Sequence, residues 1–360
     1  MNILQRYILK ELWLPFLLCF VTLNFIFMGG YLAKAANFII GRGVPLTDTL
    51  YVLLLAMPDM ISYTTPTSLL TAVLIVFGGL SQNNEIRAVK ASGINPMTIM
   101  APAFMVGLVL SFVMFIFNDQ VTTNAGFELR KATKKMLIKH PNALIEPGRF
   151  VQISDSIIFL AKEAEGNRLY DIVAHENENP DKPIRTIIAE SGEIVSKNDN
   201  TELQIRLYNG SISDAEDASV QTIQFKTYEF PSFGQEDIRR MQKKMKDRTL
   251  AELLVRSRDS ELSEEDSLDV WSAFHHQIAF ALGCFIFVLM GIPLAILVHR
   301  GEIVLSFAIS MAAVSLYYVL FVGAKTISIE GILPPIVAYW IPNLLLMGLG
   351  VFLLKKAIIA

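Results

Sequence analysis

The chain has 360 residues, 52% of them apolar, and a mean hydropathy of +0.44, which excludes an ordinary water-soluble globular protein. Its net charge of −3 conceals a segregation: of 65 charged residues, 48 lie between Asn118 and Ser267 and only 17 in the two flanks. Flanks so poor in charge, with apolar runs of about 20 residues or more, read as membrane spans around a water-facing middle. The two cysteines, Cys19 and Cys284, both sit in apolar runs and suggest neither a disulfide framework nor a metal site.

In chain order, the first span is expected over about Leu12–Ile40, broken by Asn24, Lys34 and Asn37. Arg6 and Lys10 precede it and Ala33-Lys34-Ala35 mimics a signal-peptidase site, but the run exceeds a signal h-region and more spans follow, so it reads as a retained span. Gly41, Gly43 and Pro45 turn the chain into a second span, Leu46–Leu80, where Pro58 and Pro66 predict tilt or kinks and Asp59 either neutralises a lysine or lines a cavity. A polar insert, Ser81–Asn95, precedes a third span over Pro96–Phe117. Three more are expected after the middle: Leu268–Val298, Ile303–Thr326 and Pro334–Leu354.

Six spans put both termini on one side together with the insert and the short loop His299–Glu302. Arg6, Lys10, Arg87, Lys90, Arg300, Lys355 and Lys356 fall there, which by the positive-inside rule is the cytoplasm. Arg130, Lys131, Lys134, Lys135 and Lys139 count the other way, but they open a long domain of the kind largely exempt from that rule.

The middle domain starts and ends with helical patterns, Gly126–His140 and Gln235–Arg258. Between them strands are expected at Phe150–Ser154, Ile157–Lys162, Tyr170–His175, Arg185–Ser191, Leu203–Tyr208 and Gln221–Phe230. Turns are expected at Glu165-Gly166-Asn167, Asn179-Pro180, Asn198-Asp199-Asn200 and Asn209-Gly210. Short strands without intervening helices predict an antiparallel sandwich or jelly roll. The reading is thus an α-helical membrane protein of six spans (3+3) with an inserted antiparallel β domain, divided at 1–118, 119–267 and 268–360.

No chemistry-bearing motif emerges. Gly323-Ala324-Lys325-Thr326 lacks a phosphate-loop pattern, and the adjacent His275 and His276 point about 100° apart on a helix. No enzyme activity, metal, cofactor or nucleic-acid partner is expected. The basic run Arg239–Arg248 reads as a solvated helix face before it reads as a headgroup contact.

The insert reads as a short helix that Ser81 or Asn83 caps and Gly93 and Pro96 end, with Glu85 in its first turn and Ile86 and Val89 on one face. Such a helix between spans serves as a docking lever or lies at the lipid interface. Lys34, near Arg42, and Lys325 place positive charge at the opposite membrane edge, as snorkelling side chains or as contacts for an anionic headgroup. Tyr317, Tyr318, Phe321 and Gly323 of the fifth span either face a lipid-filled chamber or pack and anchor it.

The order of parts, the insert Asn84-Glu85-Ile86-Arg87-Ala88-Val89-Lys90-Ala91-Ser92-Gly93 and the stretch Gly331-Ile-Leu-Pro-Pro-Ile-Val-Ala-Tyr-Trp-Ile-Pro-Asn343 resemble the LptF/LptG (YjgP/YjgQ) permeases over essentially the whole chain. Pro141–Phe150 and Ala189–Glu193 look more like the LptF branch, while Gln277 stands near where the pattern usually has arginine. The resemblance implies a permease subunit of an ABC-type exporter that extracts lipopolysaccharide from the inner membrane. It implies an LptB-like ATPase dimer that binds the ATP, an LptG-like second permease, LptC-like and LptA-like periplasmic proteins, and a periplasmic β-jellyroll. Residues 81–95 become the coupling helix, with Glu85 facing the ATPase and Glu85, Ile86, Arg87 and Val89 as its ATPase-coupling residues. Lys34, Tyr31, Arg42, Tyr317, Phe321 and Lys325 become candidates for lipid contact. The alternative from another class is a non-transporting scaffold or signal-relay protein with a partner-binding β domain.

Overall fold

The computed structural model describes residues 3–41, 43–140, 148–154, 157–176, 185–197, 202–216, 219–259, 262–298 and 302–359. They form two compact units, one of residues 1–31, 55–127 and 243–360, the other of residues 32–54 and 128–242.

Hydrocarbon offers no hydrogen bonds to a backbone, so the apolar runs become helices. They are α1 (Ile3–Ala36), α2 (Leu46–Gln82), α4 (Met97–Ile116), α10 (Ile303–Ile329) and α11 (Pro335–Ile359), with the insert as α3 (Glu85–Ala91). Through one π-helical turn, Phe117–Thr122, α4 continues into α5 (Thr123–Lys139). The fourth span is two helices, α8 (Glu264–Ala281) and α9 (Gly283–Val298), bent by 41°. Among the described residues five helices are long and apolar enough to cross a membrane, six when α8 and α9 count as one span, which matches the six expected.

The bend between α8 and α9 is supported from a distant part of the chain. The Phe285 N–H leaves the helical ladder and donates to the Ser111 hydroxyl at 2.9 Å, so a neighbouring helix satisfies what the bend frees. Pro58 and Pro66, by contrast, sit inside an unbroken α2.

Apolar contact between helices gains little in lipid, and polar pairs fasten them instead. Asn24 of α1 donates to Thr64 of α2 at 2.9 Å, and Ser62 to Asn118 at 2.7 Å. Thr71 donates to Ser310 at 2.8 Å, Tyr317 to Asn343 at 3.0 Å, and Asn343 to the Ala279 carbonyl at 2.9 Å. The buried core centres on α2 and α9, with Leu70, Phe77, Phe287 and Ile292 fully inside.

The second unit holds an antiparallel meander: β1 (Val151–Ser154), β2 (Ile157–Glu165), β3 (Arg168–Glu176), β4 (Arg185–Lys197), β5 (Glu202–Glu216) and β6 (Ser219–Glu229), paired in sequence order, plus a short β7 (Phe233–Gly234) on β5. Five strands break their in–out alternation along a single line. Ala161, Ile172, Ala189, Gly210 and Phe225 form one cross-strand row, and Ala164, Leu169, Gly192, Leu207 and Tyr228 another. Two residues per strand, not one, separate these rows, and apolar members of both pack on one core that also holds Phe159, Ile205 and Phe230. Asp171 and Asn209 lie on that crease with φ of 50° and 52°, left-handed values that Asn and Asp tolerate best among L residues. At Gly192 an added Cβ would lie 2.9 Å from the Arg206 carbonyl oxygen, and at Gly210 2.3 Å from the Ile188 carbonyl oxygen, so glycine is needed beside the crease.

Asn209-Gly210 is therefore not the expected turn: β5 runs straight through it, and its left-handed residue folds the sheet instead of ending a strand. The turn at Glu165-Gly166-Asn167 is present, with Gly166 at φ 61°. Those at Asn179-Pro180 and Asn198-Asp199-Asn200, and most of Pro141–Phe150, lie outside the described residues.

The expected helix Gln235–Arg258 is broken into α6 (Gln235–Arg240), a 3₁₀ turn (Met245–Asp247) and α7 (Leu250–Arg256). Met241 is extended, and a capping box restarts the chain, Thr249 accepting from the Glu252 N–H while Glu252 accepts from the Thr249 N–H. The part from Lys243 onward belongs to the helical unit, where the Leu250 N–H donates to Asp119 at 2.6 Å and Gln277 donates to the Arg248 carbonyl at 2.9 Å.

Candidate functional site

The insert begins differently from expectation. Neither Ser81 nor Asn83 caps α3; Ser81 still belongs to α2, and the N-cap is Asn84, held left-handed at φ 60° with no side-chain cap bond. An abrupt reversal after a long helix needs a left-handed residue, and asparagine supplies one. Arg87 reaches back to the Asn84 side-chain oxygen at 3.2 Å. The far end matches expectation: Gly93 takes φ 75°, its N–H donates to the Lys90 carbonyl at 3.0 Å, and Ile94 N–H donates to Val89 at 3.2 Å, a complete Schellman closure.

Ile86, only 4% exposed, belongs to the helical core, and Val89 packs against that core. Both therefore seat α3 on the helical core. Glu85 is half-buried, and the outward surface of the insert includes Gln82, Asn83, Asn84, Arg87, Ala88 and Ala91, with Ser92–Asn95 exposed after the helix.

Two polar side chains, Ser81 and Lys90, bolt the insert to other helices, a role that neither the capping expectation for Ser81 nor the charge count for Lys90 foresaw. The Ser81 hydroxyl donates to the Ile296 carbonyl at 3.1 Å, in the last turn of α9. The Lys90 ammonium donates to the Ala357 and Ile358 carbonyls, each at 3.1 Å, at the end of α11. The final carbonyls of a helix have no partner within it and carry partial negative charge, so an ammonium there is doubly favoured. In the sequence Lys90 registered only as one cytoplasmic charge among several.

The basic residues at the other membrane edge are placed one by one. Lys34 is exposed in the last turn of α1, and Tyr31 is exposed one turn earlier. Lys325 is exposed near the end of α10, and Arg42 lies outside the described residues. Asp59 interacts electrostatically with Lys246 and Asp247. Tyr317 and Phe321 do not face a chamber: at 1% and 4% exposure they are packed inside an aromatic cluster with Phe287, Phe280, His276 and Tyr339. Among the described residues no group of His, Cys, Asp and Glu could hold a metal ion.

A family model described as lipopolysaccharide export system permease LptF/LptG matches residues 6–356. No curated protein matches the chain. A match across nearly the whole chain covers the spans, the bolted insert and the creased sheet together, and the chain belongs to the LptF/LptG family of lipopolysaccharide export permeases.

Proposed function

We propose that this permease is one half of the membrane gate of an ABC-type exporter, moved by a separate ATPase dimer that docks on α3. The observation that carries the reading is the anchorage of α3. A lever must be stiffly joined to what it moves, and Ser81 and Lys90 tie this seven-residue helix to the ends of α9 and α11. Glu85 and Arg87 meet the ATPase, Ile86 and Val89 seat the helix, and Lys90 passes its displacement into α11. Lys34 and Lys325, with Tyr31 and Arg42, meet lipid phosphates from the outer edge. Tyr317 and Phe321 act indirectly, by fixing the helix that carries Lys325.

In this reading α3 and the termini face the cytoplasm and the creased sheet faces the periplasm. A second permease chain closes the gate, and soluble periplasmic partners of the LptC and LptA type extend the sheet. The outer edge of β6 carries no further strand among the described residues, which leaves it open to such pairing.

Purified complex reconstituted in liposomes tests the proposal. Glu85→Ala is expected to weaken ATPase docking or to uncouple hydrolysis from lipid release, and Lys90→Met to spare both docking and hydrolysis while lowering release. Wild-type assembly and wild-type release in both variants contradict the lever. A preparation with neither bound glycolipid nor a copurifying ATPase favours the scaffold reading. Lys34→Glu is expected to load less lipid than Lys34→Ala, because repulsion is added to lost attraction; wild-type loading in both removes Lys34 from the site.

A further inference from the structure

One cavity stands apart from the insert and from the outer membrane edge. A groove of about 740 Å³ runs between the first half of α1 and α4, with Leu69 of α2 at its floor. Its α1 wall is one helical face: Arg6, Lys10 and Trp13 recur at intervals of four and three residues. Its α4 wall is apolar, formed by residues such as Met105 and Val109, which are 67% and 55% exposed. The two cations sit at the end nearer the terminus, and among the described residues no acidic one lines the groove.

We infer that this groove is a binding site for an anionic phospholipid of the leaflet on the side of the chain termini, with its phosphate on Arg6 and Lys10 and an acyl chain along α4. The volume falls within the range of about 300–1,000 Å³ of small-molecule sites. In a bilayer an apolar groove fills with hydrocarbon whatever the headgroup, so selectivity has to come from its polar end. Here that end is doubly cationic, and basic pockets between membrane helices are a recurrent way to hold anionic headgroups. Arg6 offers a planar fork for phosphate oxygens, Lys10 a point charge one turn on, and Trp13 an amphipathic ring at headgroup depth. The lipid would fill the space between α1 and α4, which makes it a structural ligand of the first span and not cargo. The inference needs the membrane-spanning fold but stands independently of which lipid is exported.

The test uses the intact complex in phosphatidylcholine nanodiscs doped with phosphatidylglycerol or phosphatidylcholine carrying a photoactivatable group on an acyl chain. Phosphatidylglycerol is expected to label the segment Met97–Ile116 about tenfold more than phosphatidylcholine. Arg6→Gln/Lys10→Gln, at two exposed positions that threaten no packing, is expected to bring the two lipids level. Met105→Trp, which fills the groove and leaves the charges in place, is expected to abolish labelling by either lipid. Equal labelling of the unaltered protein by both lipids reduces the site to ordinary bilayer solvation and overturns the inference. So does a preference that survives loss of both cations, or a photoreactive residue at position 109 that captures a protein subunit in place of lipid.

Discussion

The helical unit and the sheet unit meet one requirement with different materials. Every buried backbone group must be bonded, and every buried surface must gain from being buried. In the helices the backbone satisfies itself, the surroundings are as apolar as the side chains, and cohesion falls to polar pairs such as Thr71–Ser310 and Asn343–Ala279. In the sheet the surroundings are water, so burial of Phe159, Ile172, Leu207 and Phe230 supplies the driving force. Polarity thus marks the interior of one unit and the exterior of the other. A serine on α2 is a fastening, while an isoleucine on β4 is a core residue or an exposed one according to the face it points to, Ile187 and Ile194 inward and Ile188 outward, and the crease keeps the first two on the same core.

The largest effect that would test this contrast belongs to the crease. Gly210→Leu forces a side chain into the Ile188 carbonyl and the Phe225 ring. It is expected to cost about 3 kcal/mol, read as lost protease resistance of the 148–234 region with the membrane helices still inserted. Asn209→Gly at the neighbouring left-handed position should be nearly neutral, whereas Asn209→Val should weaken the domain by about 1–2 kcal/mol. A tolerated Gly210→Leu removes the crease from the account.

A smaller effect is expected in the helices. Asn343→Leu keeps the volume but severs the link from Tyr317 to the Ala279 carbonyl. The expected loss is about 1–2 kcal/mol, measured as a shift in detergent-induced unfolding. A more stable variant would mean that apolar packing, and not polar pairing, holds these spans.

The smallest is a pH effect at the linker. Partial burial alone would raise the Glu252 carboxyl, but Lys243 at 2.8 Å and the Thr249 N–H at 2.9 Å hold it below the usual glutamate range. A lowered folded pKa contributes stability that is present above the unfolded value and is lost as pH falls through the folded one. Cleavage of the segment 243–258 should therefore accelerate on acidification, and Glu252→Gln should flatten that dependence. Equal acid sensitivity in both proteins assigns the effect elsewhere.

Much of this architecture could be read without coordinates because membrane burial and strand alternation are written locally. The six spans, the strands Ile157–Lys162 and Tyr170–His175 and the Gly93 closure each follow from a few consecutive residues. What escaped was non-local. The crease is a parity change shared by five strands, visible only once cross-strand partners are known, and Asn209-Gly210 locally signals a hairpin. The α8–α9 bend depends on Ser111, 174 residues away, and the Lys90 bond to α11 spans 267. The distinction between Tyr317 as a core residue and as a lining residue likewise depends on what faces it.

The most direct test of the central claim is which face of the membrane each feature occupies. With Cys19 and Cys284 replaced, single cysteines at Ala88 on the insert and at the exposed Ile223 on β6 would be challenged with a membrane-impermeant maleimide in intact spheroplasts. The account predicts that Ile223→Cys reacts at once and Ala88→Cys only after lysis. Reaction of Ala88→Cys in intact cells, or protection of Ile223→Cys until lysis, would contradict a gate driven from the cytoplasm that delivers lipid to an external sheet.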